Sequence, residues 1–179
     1  MTQERGFSLV ESLVAVALLA VLAGLALPAL QELHERNRVV ASANLLLTHI
    51  QLARLRAVLD ASDVVICPSA DGALCAHDAK AWSQGWLVFR DQDYSQPPQF
   101  NPDSDNLLLA HRNGPGGAQV RGTPAYIRYY PSGYATNRTL TLCTTAAPQH
   151  ARAIIISVVG RARVARIGDE SLKDCISGI

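Results

Sequence analysis

The 179-residue sequence has no acidic residue between positions 106 and 168, although eight arginines fall there: 112, 121, 128, 138, 152, 161, 163 and 166. The stretch before it, 60–105, inverts the balance, with eight aspartates against Lys80 and Arg90. A net charge of only +1 conceals this division. Two segments of opposite sign either neutralise each other on folding or leave a basic face for a polyanion or an acidic protein. Catalytic signatures are missing too. The five histidines (34, 49, 77, 111 and 150) form neither an HExxH pair nor a spaced ligand set, and there is no P-loop or dinucleotide fingerprint. Ser8 and Ser12 lie in an apolar run unsuited to a hydrolytic nucleophile. Asp91 and Asp93 in "RDQD" lack the spacing of an EF-hand loop. Trp82 and Trp86 read as packing residues rather than a platform for stacked bases. No enzyme, cofactor or metal centre is expected. Internal repeats and low-complexity tracts are absent as well.

Glycine and proline are absent from 29 to 67, so one long helix is expected to run to about Leu59, where Asp60-Ala61-Ser62-Asp63 breaks it. Leu30, Leu33, Val40, Leu47, Ile50 and Leu55 form its expected apolar stripe, with Arg36, Arg38, Arg54 and Arg56 off it. The helix is expected to begin much earlier. Residues 7–27 are Leu, Val and Ala apart from Phe7, two Ser, one Gly and Glu11. As a helix, 21 residues span about 30 Å, the thickness of a bilayer core. Glu11 is the anomaly. A carboxylate deep in such a run is costly unless something pairs with it. It argues against a cleaved secretory signal and against a plain anchor alike.

Four cysteines, 67, 75, 143 and 175, accompany this apolar run. An even count beside an export or membrane segment reads as two disulfides in an oxidising compartment. Cys67 with Cys75 would close a short loop, and Cys143 with Cys175 would staple the C-terminal tail to a strand. The pairing stays open among three possibilities. A zinc site using His77 finds no common ligand spacing.

Gly6-Phe7-Ser8-Leu9-Val10-Glu11 resembles the processing site of type IV prepilins and type II secretion pseudopilins. The resemblance implies a leader, residues 1–6, removed after Gly6 by a prepilin peptidase, with methylation of the new N-terminal Phe7. Glu11 then stands at the fifth mature position, where the family has its glutamate. Pro28 stands at the twenty-second, where many pilins have a helix-kinking proline. The new amine on Phe7 is a cation. Glu11 can neutralise such an amine on a neighbouring subunit, and a buried charge is tolerable when paired. The resemblance further implies a single-pass inner-membrane protein with its C-terminal domain in the periplasm. Other major and minor pilins would be its partners in an extracellular pilus or a periplasmic pseudopilus.

Beyond Asp63 the pattern shifts to short segments rich in β-branched and aromatic residues: 64–67, 85–90, 107–111, 126–130, 139–143 and 153–159. Residues 92–105 and 112–124 read as loops, the second carrying "NGPGG". The expected fold is α+β and pilin-like: one long N-terminal helix, its first half transmembrane, packed on an antiparallel sheet. The expected divisions are the leader at 1–6, a transmembrane or filament-core helix at 7–29, the amphipathic half of the helix at 30–60, and a globular β domain at 61–179.

The strings "SDVVICPSADGALC", "WSQGWLVFRD", "YPSGYATNRTLTLC" and "AIIISVVGRARV" follow in that order and resemble the GspH/FimT family of minor pilins. Gly160-Arg161-Ala162-Arg163 resembles the Gly-Arg-x-Arg motif of FimT-type members that bind DNA in natural transformation. Arg161 and Arg163 point the same way in an extended segment, Gly160 frees the backbone to turn or come close, and Arg166 extends the positive stretch. Guanidinium groups suit phosphate as planar forks of donors. A few such contacts give weak, sequence-independent binding, about 10⁻⁴ to 10⁻⁶ M. Asp169, Glu170 and Asp174 follow closely and weaken the local potential. The implied function is a minor pilin that binds DNA for uptake. The alternatives are a GspH-type pseudopilin or assembly initiator with no DNA ligand, and a protein-binding module using the 112–124 loop.

Overall fold

The computed structural model describes residues 8–167 apart from 115, 124, 125 and 145; Gly6, Phe7 and Cys175 lie outside the described residues. Helix α1 runs from Leu9 to Leu59. The chain divides into two units, residues 1–34 and residues 35–179.

The described part of the first unit is helical from Leu9 onward. Ser8 caps it, its Oγ accepting the Glu11 backbone N–H at 3.2 Å. An 18-residue window has a mean hydropathy of 2.7 and buries nothing, which is long and apolar enough to cross a bilayer. Pro28 lies within the helix.

In the second unit α1 buries Val39, Ala43, Leu46, Ile50, Ala53 and Ala57. These recur every three or four residues and so share one face. The expected stripe is rotated: only Ile50 of it is fully buried, Val40 and Leu47 are half-buried, and Leu55 is 54% exposed. Three alanines carry the seam, because small residues let the sheets approach the helix backbone closely. Ala61, at φ +47°, ends the helix, and the Ser62 N–H returns to the Ala57 carbonyl at 3.2 Å.

Eight strands follow among the described residues: β1 (Val64–Pro68), β2 (Gly85–Arg90), β3 (Asn106–Arg112), β4 (Gln119–Thr123), β5 (Ile127–Tyr129), β6 (Arg138–Cys143), β7 (Arg152–Ile156) and β8 (Ala162–Arg166). They form two antiparallel sheets rather than one, ordered β3-β2-β1-β5 and β4-β6-β7-β8. Strand β4 occupies part of the expected 112–124 loop. The expected 153–159 strand stops at Ile156, because 157–160 turn into β8 and leave Val158 and Val159 59% and 54% exposed.

One core joins the buried face of α1 to both sheets, through Val64, Ile66, Val88 and Ile127 of the first and Leu140, Leu142, Ile154 and Ile156 of the second. Each such side chain withdrawn from water contributes about 2 kcal/mol before entropy is counted. Strands β1 and β2 are buried on both faces, since Val65, Leu87 and Phe89 pack with Phe100 from the 92–105 segment. Cys67 and Cys75 form a disulfide beside that second cluster. Cys143 is disulfide-bonded as well. Cys175, its expected partner, is not among the described residues.

Candidate functional site

No strand of either sheet carries an acid; the sheets differ in the loops that flank them. The four strands of the second sheet contain no acid and carry Arg121, Arg138, Arg152, Arg163 and Arg166. The aspartates lie in the turns and loops flanking β1, β2 and β3 of the first sheet, where some of them neutralise arginines. Arg128 is buried, with Nη1 3.0 Å from Asp63 Oδ2 and Nη2 2.6 Å from Asp91 Oδ2. Burial lowers its affinity for the proton, and the Asp63 hydrogen bond and both carboxylates more than restore it. Arg90 pairs with Asp60 at 3.0 Å. Arg128 is therefore a structural cation and cannot join a surface patch.

Gly160 and Arg161 sit where β7 turns into β8. The Gly160 N–H donates to the Ser157 carbonyl at 2.8 Å, and Ser157 N–H to the Arg161 carbonyl at 3.0 Å. Other elements hold this tip. Tyr129 donates its hydroxyl to the Gly160 carbonyl at 3.3 Å. Arg54 of α1 donates to the carbonyls of Gly133 at 3.2 Å and Val159 at 3.1 Å. Burial pushes the Tyr129 phenol well above its ordinary range, which keeps it a donor. Gly160 has φ +75°, and a β-carbon there would collide with the Gly133 carbonyl oxygen. Its role is thus turn geometry.

Arg161 and Arg163 are exposed, and neither forms an ion pair among the described residues. Arg163 lies across from Ile155, which lies across from Thr139. That row is on the outer face, opposite Val164, Ile154 and Leu140 of the core. Arg161 also borders a cleft of about 620 Å³ lined by Arg54, Leu55, Val58, Tyr129 and Gly133.

The structure separates Arg166 from this pair. Its strand parity is that of Ala162 and Val164, the inner-facing positions, and it lies across from Arg152. Arg152, Arg166 and Arg36 of α1 line a second cavity, of about 280 Å³. Sequence spacing places 161, 163 and 166 together; only the strand register shows that 166 turns the other way. Arg36 and Arg152 carry no sequence signal for meeting, being over a hundred residues apart.

Both tryptophans are fully buried. Trp86 donates Nε1–H to His49 Nδ1 at 3.0 Å and stacks on His111 with ring centroids 4.3 Å apart. Neither ring can stack on a base. Asp91, Asp93 and Asp105 bring carboxylate oxygens within 4.8 Å of one another. Their oxygens accept backbone N–H groups of 92, 94, 95 and 101, and Asp91 also meets Arg128. The cluster is organised as a loop anchor.

Residues 42–160 match the type II transport protein GspH family, and residues 1–27 match the prokaryotic N-terminal methylation motif. The chain belongs to the GspH family. Among curated proteins none matches it in sequence. In fold this GspH-family chain is similar to the type IV minor pilin FimU of Pseudomonas aeruginosa strain PAO1. One FimU crystal form gives a TM-score of 0.54 at 19% identity, covering 73% of this chain and 90% of FimU. A second gives 0.50 at 18%, covering 69% and 90%. The minor pseudopilin EpsH from the type 2 secretion system of Vibrio cholerae gives 0.46 at 14%, covering 74% and 99%. The pilin fold is thus shown, with its long N-terminal helix and antiparallel sheets. The GspH-family chain thus joins the N-terminal methylation motif to a fold similar to that of FimU.

Proposed function

We propose that this GspH-family subunit is cut after Gly6 by a prepilin peptidase, waits in the inner membrane, and assembles with other pilins into a type IV pilus or its tip. There it binds DNA without sequence preference through Arg161 and Arg163, for uptake in natural transformation. The observation that carries the reading is an edge strand, β8, that with its preceding turn presents two exposed guanidinium groups without a described ion-pair partner. Edge strands need charge to stay soluble, and one arginine serves that need as well as two. Two of the same strand parity, beside a turn that Arg54 and Tyr129 hold by its backbone carbonyls, suit contacts to backbone phosphates. Weak contact suffices where several subunits add avidity.

The test is a gel shift of residues 35–179 on duplex DNA across a salt series. Arg161→Gln/Arg163→Gln should weaken binding about tenfold or more and flatten the salt dependence by about two ions. Equal binding by both proteins would sink the DNA reading.

One observation favours the rival, an assembly subunit of a pilus or a type II secretion pseudopilus with no DNA ligand. Val158 and Val159 are exposed at the tip, as are Leu55 and Val58 of α1, which line the cleft. An apolar patch of that kind suits a neighbouring subunit. If neither protein shifts DNA, the assembly reading stands.

A further inference from the structure

Beside the turn into β8, the cleft of about 620 Å³ combines an apolar floor with a basic rim. Leu55 and Val58 of α1 form the floor, and both are exposed. Arg54 and Arg161 stand on the rim, exposed, and neither forms an ion pair with a described residue. The carbonyls of Gly133 and Val159 hold the Arg54 guanidinium in place and leave its charge uncompensated. The walls are fixed as well, since the Ala135 N–H donates to the Val158 carbonyl at 2.9 Å and ties one turn to the other. No acid lines the cleft, and the nearest one along α1, Asp60, is already paired with Arg90 at 3.0 Å. An apolar floor under fixed cations suits an aromatic side chain with carboxylates beside it.

The chain carries that complement on the 92–105 segment. Tyr94 is 60% exposed there. Asp93 adjoins it, and the Ser104 hydroxyl donates to Asp93 at 3.3 Å, which brings Asp103 to the same end of the loop. Both acids are exposed, and neither forms an ion pair with a described residue. The backbone N–H of Ser95 holds the Asp93 carboxyl below the ordinary carboxylate range, so its charge persists. Tyr94 gives its own N–H to Asp91 at 3.0 Å, so the loop is ordered before any partner arrives. Within one chain the loop is turned away from the cleft. Phe100 packs on Phe89, ring centroids 5.4 Å apart, on the face of β1 and β2 opposite the core that α1 covers. Every copy thus holds both halves of a match that it cannot make with itself, which favours a second copy as the occupant.

We propose that the 92–105 loop of one copy enters the cleft of the next, with Tyr94 over Leu55 and Val58 and the carboxylates of Asp93 and Asp103 against Arg54 and Arg161. The contact is heterologous, since loop and cleft are different surfaces, and it therefore propagates beyond two copies. It rests on the assembly role of the subunit and not on DNA binding.

The experiment mixes two differently tagged full chains in detergent micelles, one carrying Tyr94→Cys and the other Val58→Cys, and adds a short bis-maleimide. Adducts between the two tags should dominate over those of either variant with itself. Arg161→Glu in the Val58→Cys chain, or Asp103→Arg in the Tyr94→Cys chain, should lower the mixed adduct about tenfold, and the two reversals together should restore it. Asp103 is the one reversed because Asp93 also accepts the Ser95 N–H within the loop. Restoration separates a lost contact from a damaged fold. A missing mixed adduct, a yield indifferent to the reversals, or a failure of the double reversal to restore it overturns the contact. An excess of position 58 joined to itself overturns it too, by showing a two-fold dimer in its place. No DNA is present, so this result and the gel shift succeed or fail separately.

Discussion

Gly160 packs its α-carbon against the carbonyl oxygen of Gly133, in a left-handed conformation at φ +75°. Two turns from different parts of the chain meet there, and Arg54 binds both. Alanine at 160 must either push the turns apart or strain its own backbone. Gly160→Ala should cost about 2–4 kcal/mol of stability, read by urea unfolding. A cost below about half a kcal/mol, the usual size of a surface change, would show that the turns have room to part.

Arg128 is a buried cation beside two carboxylates, Asp63 and Asp91, on the face of β1 and β5 that the 92–105 segment covers. Burial holds the Asp91 carboxyl above its ordinary range, with Arg128 opposing and Asp93 and Asp105 reinforcing. Arg128→Gln leaves Asp63 and Asp91 without their partner and should destabilise the fold by about 3–5 kcal/mol at neutral pH. The sign of the pH effect follows. With Arg128 gone the folded-state pKa of Asp91 rises further above its unfolded value. Stability is then retained at low pH and lost as pH rises through that folded value. The deficit of the variant should therefore shrink on acidification. A deficit that grew toward acid would show that Asp91 is not the group left stranded.

His49 accepts a hydrogen bond from Trp86, which requires a neutral Nδ1. Burial first, and then His111, lower its pKa below the ordinary 6.5. A lowered histidine contributes stability above its unfolded pKa, and that stability is lost as pH falls from about 6.5 toward the folded value. The melting temperature should drop across this window. His49→Gln keeps an acceptor for Trp86 without a titrating ring, so its melting temperature should be flatter over the same range. Parallel pH profiles for the two proteins would remove His49 from the account.

How much of this was legible in sequence depends on the range of the interaction. The helix from Leu9 and its end near Leu59 follow from local signals: an apolar run, the absence of Gly and Pro, and a polar stop. Strand β2 is read directly from its β-branched and aromatic run. Strand β4 was hidden, because "QVRGT" is short and lies between "NGPGG" and Pro124, whose turn chemistry dominates the window. The apolar stripe of α1 was misplaced because leucine outweighs alanine in any hydropathy pattern, whereas the seam selects for small size. At the site, the alternation of Arg161 and Arg163 was local and readable. The burial of Arg128 by Asp63 and Asp91, and the meeting of Arg36 with Arg152, depend on strand register between distant segments, which no local pattern encodes.

Two roles are proposed for Glu11, and a pair of substitutions separates them. Ser8 Oγ accepts the Glu11 N–H, and Ser-x-x-Glu is the spacing of a helix capping box. The proposed assembly role instead needs the negative charge, to meet the terminal amine of a neighbouring subunit. Gln at position 11 preserves the capping-box pattern and removes the charge; Ala removes both. If charge is what matters, Glu11→Gln and Glu11→Ala should deplete the subunit from sheared filaments equally, by about tenfold, while its level in the membrane stays normal. A charged pair shielded from water is worth enough for that, since breaking one by removing a partner costs about 3–5 kcal/mol. If Glu11→Gln assembled normally while Glu11→Ala did not, the carboxylate would serve only the helix end. The pairing with a neighbour's amine would then have to be abandoned.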